Sequence, residues 1–158
     1  MQQDGLSFMG ILEKSMSTQI KIKLPRVLGT VLDKVFSMSV PKAGSVRPPP
    51  TVLTLTKQTL LYFKAEACVG CDQLDMFVGR FAAAHQLDIR VIDARRGDLP
   101  EHGYGDQLIL DADGRIRKGY GVYAFPTLIV TDPLGRIHAA LVGGDIDEHT
   151  LGGRLKLA

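Results

Sequence analysis

Apolar and polar residues alternate along residues 51–158 in a pattern that predicts strands and helices in turn. Short apolar runs predict strands at residues 52–55, 60–63, 87–93, 128–130 and 137–142. Longer stretches with apolar residues three and four apart predict helices at 68–86, around 107–121 and at 147–157. The order β-α-β-α-β-β-α predicts an α/β sandwich with a mixed central sheet and flanking helices.

The predicted helix at residues 68–86 has one apolar face. Its apolar residues are Leu74, Phe77, Val78, Phe81 and Ala82. Gly79 lies within the helix and marks either a local weakness or a point of close packing. Further along the chain, the sequence Asp132-Pro133-Leu134-Gly135 predicts the turn of a hairpin between the last two strands.

Residues 1–50 differ in charge from the rest of the chain. This segment contains seven of the chain's 19 Lys and Arg residues and three of its 17 Asp and Glu residues, so its formal charge is +4. The formal charge of the remainder is −2. Three consecutive prolines at residues 48–50 predict a semi-rigid linker. The predicted domains are a basic extension at residues 1–50 and a folded domain at residues 51–158.

Within the extension, residues 25–37 predict an amphipathic helix. Its apolar stripe consists of Val27, Leu28, Val31, Leu32, Val35 and Phe36. Such a stripe has to be covered by something, and the sequence leaves four alternatives open. They are the chain's own folded domain, a second copy in a dimer, a groove on a partner protein, and an anionic membrane surface.

Charged residues interrupt the apolar stretches of the N-terminal region. They include Lys21, Lys23, Arg26, Asp33 and Lys34. The pattern therefore predicts neither a signal peptide nor a transmembrane segment. The expected location is cytoplasmic or membrane-peripheral. A precursor start missing from the sequence would make a periplasmic location the alternative.

The chain contains two cysteines, Cys68 and Cys71, at the predicted start of the helix at residues 68–86. A thiolate in the first turn of a helix meets free backbone N–H groups, so we expect the pKa of Cys68 to be lowered. Cys68 would then attack a substrate disulfide, and Cys71, one turn later, would attack the resulting mixed disulfide. This spacing predicts a redox dithiol.

Three segments resemble proteins of the thioredoxin superfamily. Residues 61–71 (LYFKAEACVGC) resemble its core strand and active-site turn, and Phe125-Pro126-Thr127 resembles its cis-proline loop. Residues 111–137 are similar to the TlpA-like reductases and to thioredoxin-like proteins of conjugation systems, and the whole match covers residues 52–158. The resemblance implies a thioredoxin-like sandwich and thiol-disulfide oxidoreductase activity. It also implies that Phe125, Pro126 and Thr127 bind substrate, with Pro126 in the cis form.

Several residues near the dithiol depart from the thioredoxin pattern. Tyr62 stands where thioredoxins have a buried Asp that helps to deprotonate the resolving cysteine, and residues 89–93 lack the Lys that usually accompanies it. Ala67 stands in place of a Trp. The proton acceptor for Cys71 is therefore left open between water, a substrate group and Glu66. Glu66 is either a modulator of the Cys68 pKa or an ordinary solvated turn residue.

The two residues between the cysteines bear on the direction of the reaction. Strong oxidants of this superfamily have a His there, which stabilises the thiolate, whereas Val69 and Gly70 carry no charge. The sequence therefore favours a reductase over a strong oxidase. The expected partners are a protein disulfide or dithiol substrate and an electron donor or acceptor that the sequence does not identify.

Other chemistries have little support in the sequence. The histidines, His85, His102, His138 and His149, lack the paired spacing of a zinc site. Aromatic residues make up 6% of the chain, too few to suggest a nucleic-acid platform. We expect no cofactor, no metal and no nucleic-acid partner. The alternative to an enzyme is a non-catalytic module of the same fold that acts through its N-terminal helix in a secretion or conjugation assembly.

Overall fold

A five-stranded mixed sheet forms the centre of the structure, a computed structural model that describes residues 40–143 and 146–157. The strands are β1 (Thr59–Lys64), β2 (Asp88–Asp93), β3 (Leu108–Leu110), β4 (Thr127–Thr131) and β5 (Ile137–Val142). The helices are α1 (Val69–Asp75), α2 (Val78–Ala84), α3 (Arg115–Tyr120) and α4 (Glu148–Arg154), with a 3-10 helix at Gly105–Gln107. These elements confirm the predicted α/β sandwich.

The strand order is β3-β2-β1-β4-β5. The pairs β1 with β2 and β2 with β3 are parallel, whereas β1 with β4 and β4 with β5 are antiparallel. The hairpin predicted around residues 132–135 is confirmed as the connection between β4 and β5. Strand β1 therefore lies in the middle of the sheet, and its carboxyl end leads directly to the two cysteines.

Both faces of β1 are buried, which explains why its sequence is a continuous apolar run rather than an alternation. Leu60 and Tyr62 pack against α1, α2 and α4 in one core cluster. Leu61 and Phe63 pack in a second cluster with Ile116 and with other residues on the opposite face. The sheet thus separates two layers, with the cysteine-bearing helix on the first face.

The predicted helix at residues 68–86 is in fact two helices. Helix α1 ends at Asp75 and α2 begins at Val78, because Phe77 leaves the helical conformation with φ −141° and ψ −16°. The predicted apolar face is nevertheless buried throughout. Gly79 lies on the exposed side of α2, and a side-chain carbon built there would meet no atom within 4 Å. Gly79 is therefore not a point of close packing.

Two other predicted elements are wrong. Residues 52–55 do not form a strand, although Leu53 and Leu55 are buried against the second core cluster. The helix predicted around residues 107–121 begins only at Arg115, and its first part is the edge strand β3. The helix starts late because the buried Asp111 carboxylate accepts hydrogen bonds from the backbone N–H groups of Ile116, at 2.9 Å, and Arg117, at 3.0 Å.

The predicted closing helix is confirmed as α4. The Asp147 side chain caps it by accepting hydrogen bonds from the backbone N–H groups of His149 and Thr150, both at 3.0 Å. The hydroxyl of Thr150 donates to the same carboxylate, and chiefly for this reason the pKa of Asp147 is lowered. The cap therefore stays charged at neutral pH.

Part of the predicted N-terminal extension contacts the sheet. The backbone N–H of Gly44 donates to the Ile137 carbonyl at 2.7 Å, and the N–H of Ile137 donates to the Ser45 carbonyl at 2.9 Å. The helix predicted at residues 25–37 lies outside the described residues, and the domain boundary near residue 50 stays a prediction. Within the described ranges, none of the helices has the length and apolar character needed to cross a membrane.

Candidate active site

Cys68 and Cys71 form a disulfide at the beginning of α1, with their Cα atoms 5.2 Å apart. Cys68 is the residue that caps the helix, immediately before Val69, whereas Cys71 lies within the first turn. Cys68 is half-buried, while Cys71 is completely buried. A substrate can therefore approach Cys68, which is partly exposed, but not Cys71.

The backbone of α1 interacts with the Cys68 sulfur. The N–H of Cys71 donates to Cys68 Sγ at 3.2 Å and to the Cys68 carbonyl at 2.9 Å. In the reduced protein the same N–H group would face a thiolate, and hydrogen bonds to the charged form of a thiol favour that form. This arrangement suits Cys68 to the role of nucleophile.

Pro126 packs directly against the active-site turn. The Phe125–Pro126 peptide bond is cis, as the resemblance implies. A side-chain carbon built on Gly70 would lie 3.1 Å from Pro126 Cδ, so the proline ring and the turn between the cysteines are in close contact. The structure thus brings together the dithiol and the proline loop, which are more than fifty residues apart in the sequence.

The other predicted site residues occupy different environments. Phe125 is half-buried and packs against both core clusters. Thr127 is buried, and its hydroxyl donates to the Ala124 carbonyl at 2.7 Å, so its side chain holds the proline loop in place. Glu66 is exposed on the turn between β1 and α1. The roles of Phe125, Pro126 and Thr127 in substrate binding, and of Glu66 as a modulator, stay predictions.

A polar cluster that the sequence analysis missed lies behind Cys71. Its members are Lys64, Asp75 and Tyr104, and Lys64 Nζ also lies 6.0 Å from the centre of the Tyr62 ring. Lys64 Nζ and Tyr104 Oη both contact the Asp75 carboxylate, the latter at 2.7 Å. The Tyr62 hydroxyl donates to the Cys71 carbonyl at 2.9 Å. One available signal was the spacing of Asp75, four residues after Cys71 on the same helix.

Both tyrosines of this cluster are held in the neutral form. Burial raises the pKa of Tyr62 far above its ordinary value, and the nearby Asp75 carboxylate raises it further. Burial also raises the pKa of Tyr104, followed by its hydrogen bond to Asp75. Both hydroxyls are therefore hydrogen-bond donors throughout the range in which proteins are normally folded.

No group of three or more metal-ligating side chains occurs among the residues that the structure describes. The two cysteines are bonded to each other.

The fold is found in several solved structures. A secreted Mycobacterium tuberculosis disulfide oxidoreductase homologous to E. coli DsbE has a TM-score of 0.51 at 19% identity, over 65% of this chain and 83% of its own. A thiol:disulfide interchange protein described as DsbE from Chlorobium tepidum has a TM-score of 0.52 at 19% identity, over 73% and 96%. The thioredoxin domain of a Bacteroides vulgatus thiol-disulfide oxidoreductase has a TM-score of 0.51 at 18% identity, also over 73% and 96%.

No protein-family model matches the chain, and no curated protein matches it. At identities below 20% the structural likeness establishes the fold, and the chain accordingly has the thioredoxin fold. The fold implied by the resemblance of residues 52–158 is confirmed.

Proposed function

We propose that the protein is a thiol-disulfide oxidoreductase that exchanges disulfides with protein substrates through Cys68 and Cys71. The observation that carries the proposal is the asymmetric disulfide at the start of α1, with Pro126 packed against its turn. The three solved structures above add support, because their descriptions all name thiol-disulfide chemistry.

The exchange divides into two displacements on sulfur. The Cys68 thiolate attacks a substrate disulfide, forming a mixed disulfide and releasing one substrate sulfur as a thiolate. Cys71 then attacks Cys68 Sγ, the intramolecular disulfide forms, and the second substrate sulfur leaves with the electron pair. Val69, between the two cysteines, is 72% exposed, and Tyr123, three residues before Pro126 in the sequence, is 65% exposed. Both side chains would give a protein substrate apolar contacts.

The same site supports a reductase rather than a strong oxidase. A strong oxidant has an unusually stable reduced form, which requires groups that stabilise the Cys68 thiolate. Val69 and Gly70 provide no charge for this purpose, and the N–H of Cys71 is a single neutral donor. The proposed direction of electron flow is from the protein to its substrate.

The reduction potential of the Cys68–Cys71 pair tests this direction. We expect a value closer to thioredoxin, about −270 mV, than to the strong oxidant DsbA, about −120 mV. The measurement equilibrates the protein with glutathione buffers of known ratio and counts free thiols. A potential near that of DsbA would contradict the reductase assignment and would leave disulfide exchange itself intact.

We also propose that residues 25–37 bind an anionic membrane surface, since the surrounding segment carries +4 and the predicted helix has an apolar stripe. Wild type is expected to float with anionic vesicles and to stay in solution with neutral ones. Replacing both Leu28 and Leu32 by Asp should abolish flotation, whereas Thr30→Ala, outside the stripe, should not. Failure of the wild-type protein to float with anionic vesicles would contradict the proposal.

A further inference from the structure

Strand β5 is the longer of the two edges of the central sheet. It has six residues, whereas the strand at the opposite edge, β3, has three. An edge strand presents a row of backbone N–H and C=O groups that can pair with another chain, and proteins often avoid such pairing by keeping edge strands very short. Of the two edges, β5 is therefore the one long enough to accept an added strand.

The described residues pair with only the first part of this edge. The N–H of Ile137 donates to the Ser45 carbonyl, and the Ile137 carbonyl accepts from the Gly44 N–H. Upstream of Gly44 the chain forms a turn, because the N–H and the hydroxyl of Ser45 both donate to the Lys42 carbonyl, at 3.0 and 2.6 Å. From residue 138 to residue 142, no backbone group on the outer side of β5 has a backbone partner within the described ranges.

A groove of about 770 Å³ lies along this part of the edge. It is lined by residues 138–143, by residues 40–43 and by the end of α4. Clefts that bind ligands commonly enclose about 300 to 1,000 Å³, so the groove has room for several side chains. Leu141 and Val142 are half-buried and give it an apolar surface.

The groove ends beside the proline loop. Val142, the last residue of β5, pairs with Thr127, which directly follows Pro126. The Gly143 N–H donates to the Pro126 carbonyl at 2.7 Å, and Ala124 also lines the groove. Because Pro126 packs against the turn between the cysteines, a segment bound along β5 leads towards the dithiol.

The titratable side chains that line the groove are three cations and one histidine. They are Lys42, Arg154, Lys156 and His138, and no Asp or Glu among the described residues lines it. His138 lies 3.8 Å from Asp132, whereas neither Lys42 nor Lys156 has an ion-pair partner in the described part of the chain. Because complementary charge selects between partners, this groove favours an acidic segment over a basic one.

Lys156 occupies a backbone position that favours glycine. It follows the residue that ends α4 and has φ +54°. The N–H of Leu157 donates to the Gly152 carbonyl at 2.9 Å, a hydrogen bond of the helix ends at which glycine is the usual residue. The lysine thus carries its charge to the groove against the preference of the backbone. Replacing it with glycine removes the charge and suits the conformation.

We propose that the outer edge of β5 binds an extended, acidic segment of the protein substrate as an added strand. This inference rests on the proposed function, since it names the class of substrate that the dithiol receives. The backbone of the segment pairs with residues 138–142, and its apolar side chains contact Leu141 and Val142. Lys42 and Lys156 contact its carboxylates. The segment positions a substrate disulfide near Cys68 and takes no part in the exchange itself.

Binding of a labelled peptide to the oxidised full chain tests the inference directly. The probe is a cysteine-free peptide in which Glu and Val alternate, and its fluorescence anisotropy reports binding. We expect this peptide to bind, and we expect the same peptide with Lys in place of Glu to bind about tenfold more weakly or less. A version with Pro in place of Val should also lose binding, because proline cannot donate the backbone hydrogen bonds of a strand.

Two lysine variants test the charge of the groove. Lys156→Gly and Lys42→Ala should each weaken binding of the acidic peptide by about two- to fivefold, the effect expected for one exposed ion pair. The matched control is Lys118→Ala, which removes an exposed lysine from α3 on the opposite face of the sheet and should leave the affinity unchanged. Denaturant unfolding should show that Lys156→Gly is as stable as wild type, so that unfolding does not explain its weaker binding.

Kinetics with peptide disulfides show whether the groove serves the dithiol. A disulfide peptide with the alternating Glu and Val segment attached should have a lower KM than the same peptide with Lys in place of Glu, at equal kcat. Lys156→Gly should reduce this difference in KM. The same variant should react with dithiobis(nitrobenzoate) at the wild-type rate, because that small disulfide does not reach the groove.

Equal affinity for the acidic and basic peptides would overturn the inference, and so would wild-type affinity in both Lys156→Gly and Lys42→Ala. Absence of binding to the full chain would also overturn it, and the mass in solution would then show whether a second copy covers the edge instead. Failure of the proposed function would be distinct, because the acidic peptide would still bind the oxidised protein while protein disulfides would not be reduced.

Discussion

Replacing Cys68 with Ser is expected to lower the rate of reduction of a disulfide-bonded test protein by on the order of a thousandfold or more, to the uncatalysed level. A serine hydroxyl is not a useful nucleophile towards sulfur, and Cys71 cannot take its place because its side chain is fully buried. The rate is followed as precipitation of reduced insulin in the presence of dithiothreitol, with wild type measured in parallel.

The matched control is Cys71→Ser. This variant retains Cys68 as the nucleophile, so it should form the mixed disulfide as fast as wild type. Its turnover should be slow, because no second cysteine resolves the mixed disulfide. The Cys68 and Cys71 variants lose the same disulfide, so a shared loss of stability does not explain a difference between them. Equal rates for wild type and Cys68→Ser would contradict the enzyme proposal and would favour the non-catalytic module.

Replacing Gly135 with Ala is expected to produce the largest loss of stability among glycine substitutions, about 3 kcal/mol in the free energy of unfolding. Gly135 has φ +82°, in the left-handed region that disfavours a side chain. A carbon added there would overlap the carbonyl oxygen of Arg47, whose own N–H donates to the Gly135 carbonyl at 2.7 Å. Residues 44–47 would have to move away from the sheet.

The control is Gly79→Ala, at an open position of α2. No atom lies within 4 Å of the added carbon, so the change should stabilise the protein by about 0.5 to 1 kcal/mol through helix propensity. Denaturant unfolding of both variants measures the two effects. If Gly135→Ala lost no stability, the contact between residues 44–47 and the β4–β5 turn would not be part of the native structure.

The sequence was sufficient to predict the elements that carry the chemistry. The Cys68–Cys71 spacing before an apolar helix predicted a dithiol at a helix start, and the structure has it there. The apolar stripe of residues 74–82 predicted the face that packs on the sheet. Both predictions depend on local patterns, since a helix shows its buried face in the spacing of a few consecutive residues.

The features that the sequence analysis missed depend on contacts between distant segments. Strand β3 has three residues and exists because it pairs with β2 in parallel, which no local pattern reveals. The break between α1 and α2 has no proline or glycine at residues 76 and 77 to mark it. The polar cluster behind Cys71 joins Asp75 to Tyr104, which lie 29 residues apart.

The most direct test of the central claim is to trap the mixed disulfide. Cys71→Ser is incubated with an oxidised protein substrate, unreacted thiols are blocked, and the covalent complex is digested and analysed by mass spectrometry. We expect one adduct, with the substrate sulfur bonded to Cys68, and complete loss of the adduct when Cys68 is also replaced by Ser. Absence of any adduct from Cys71→Ser, while its Cys68 thiol remains free, would contradict the proposed role of Cys68 as the nucleophile.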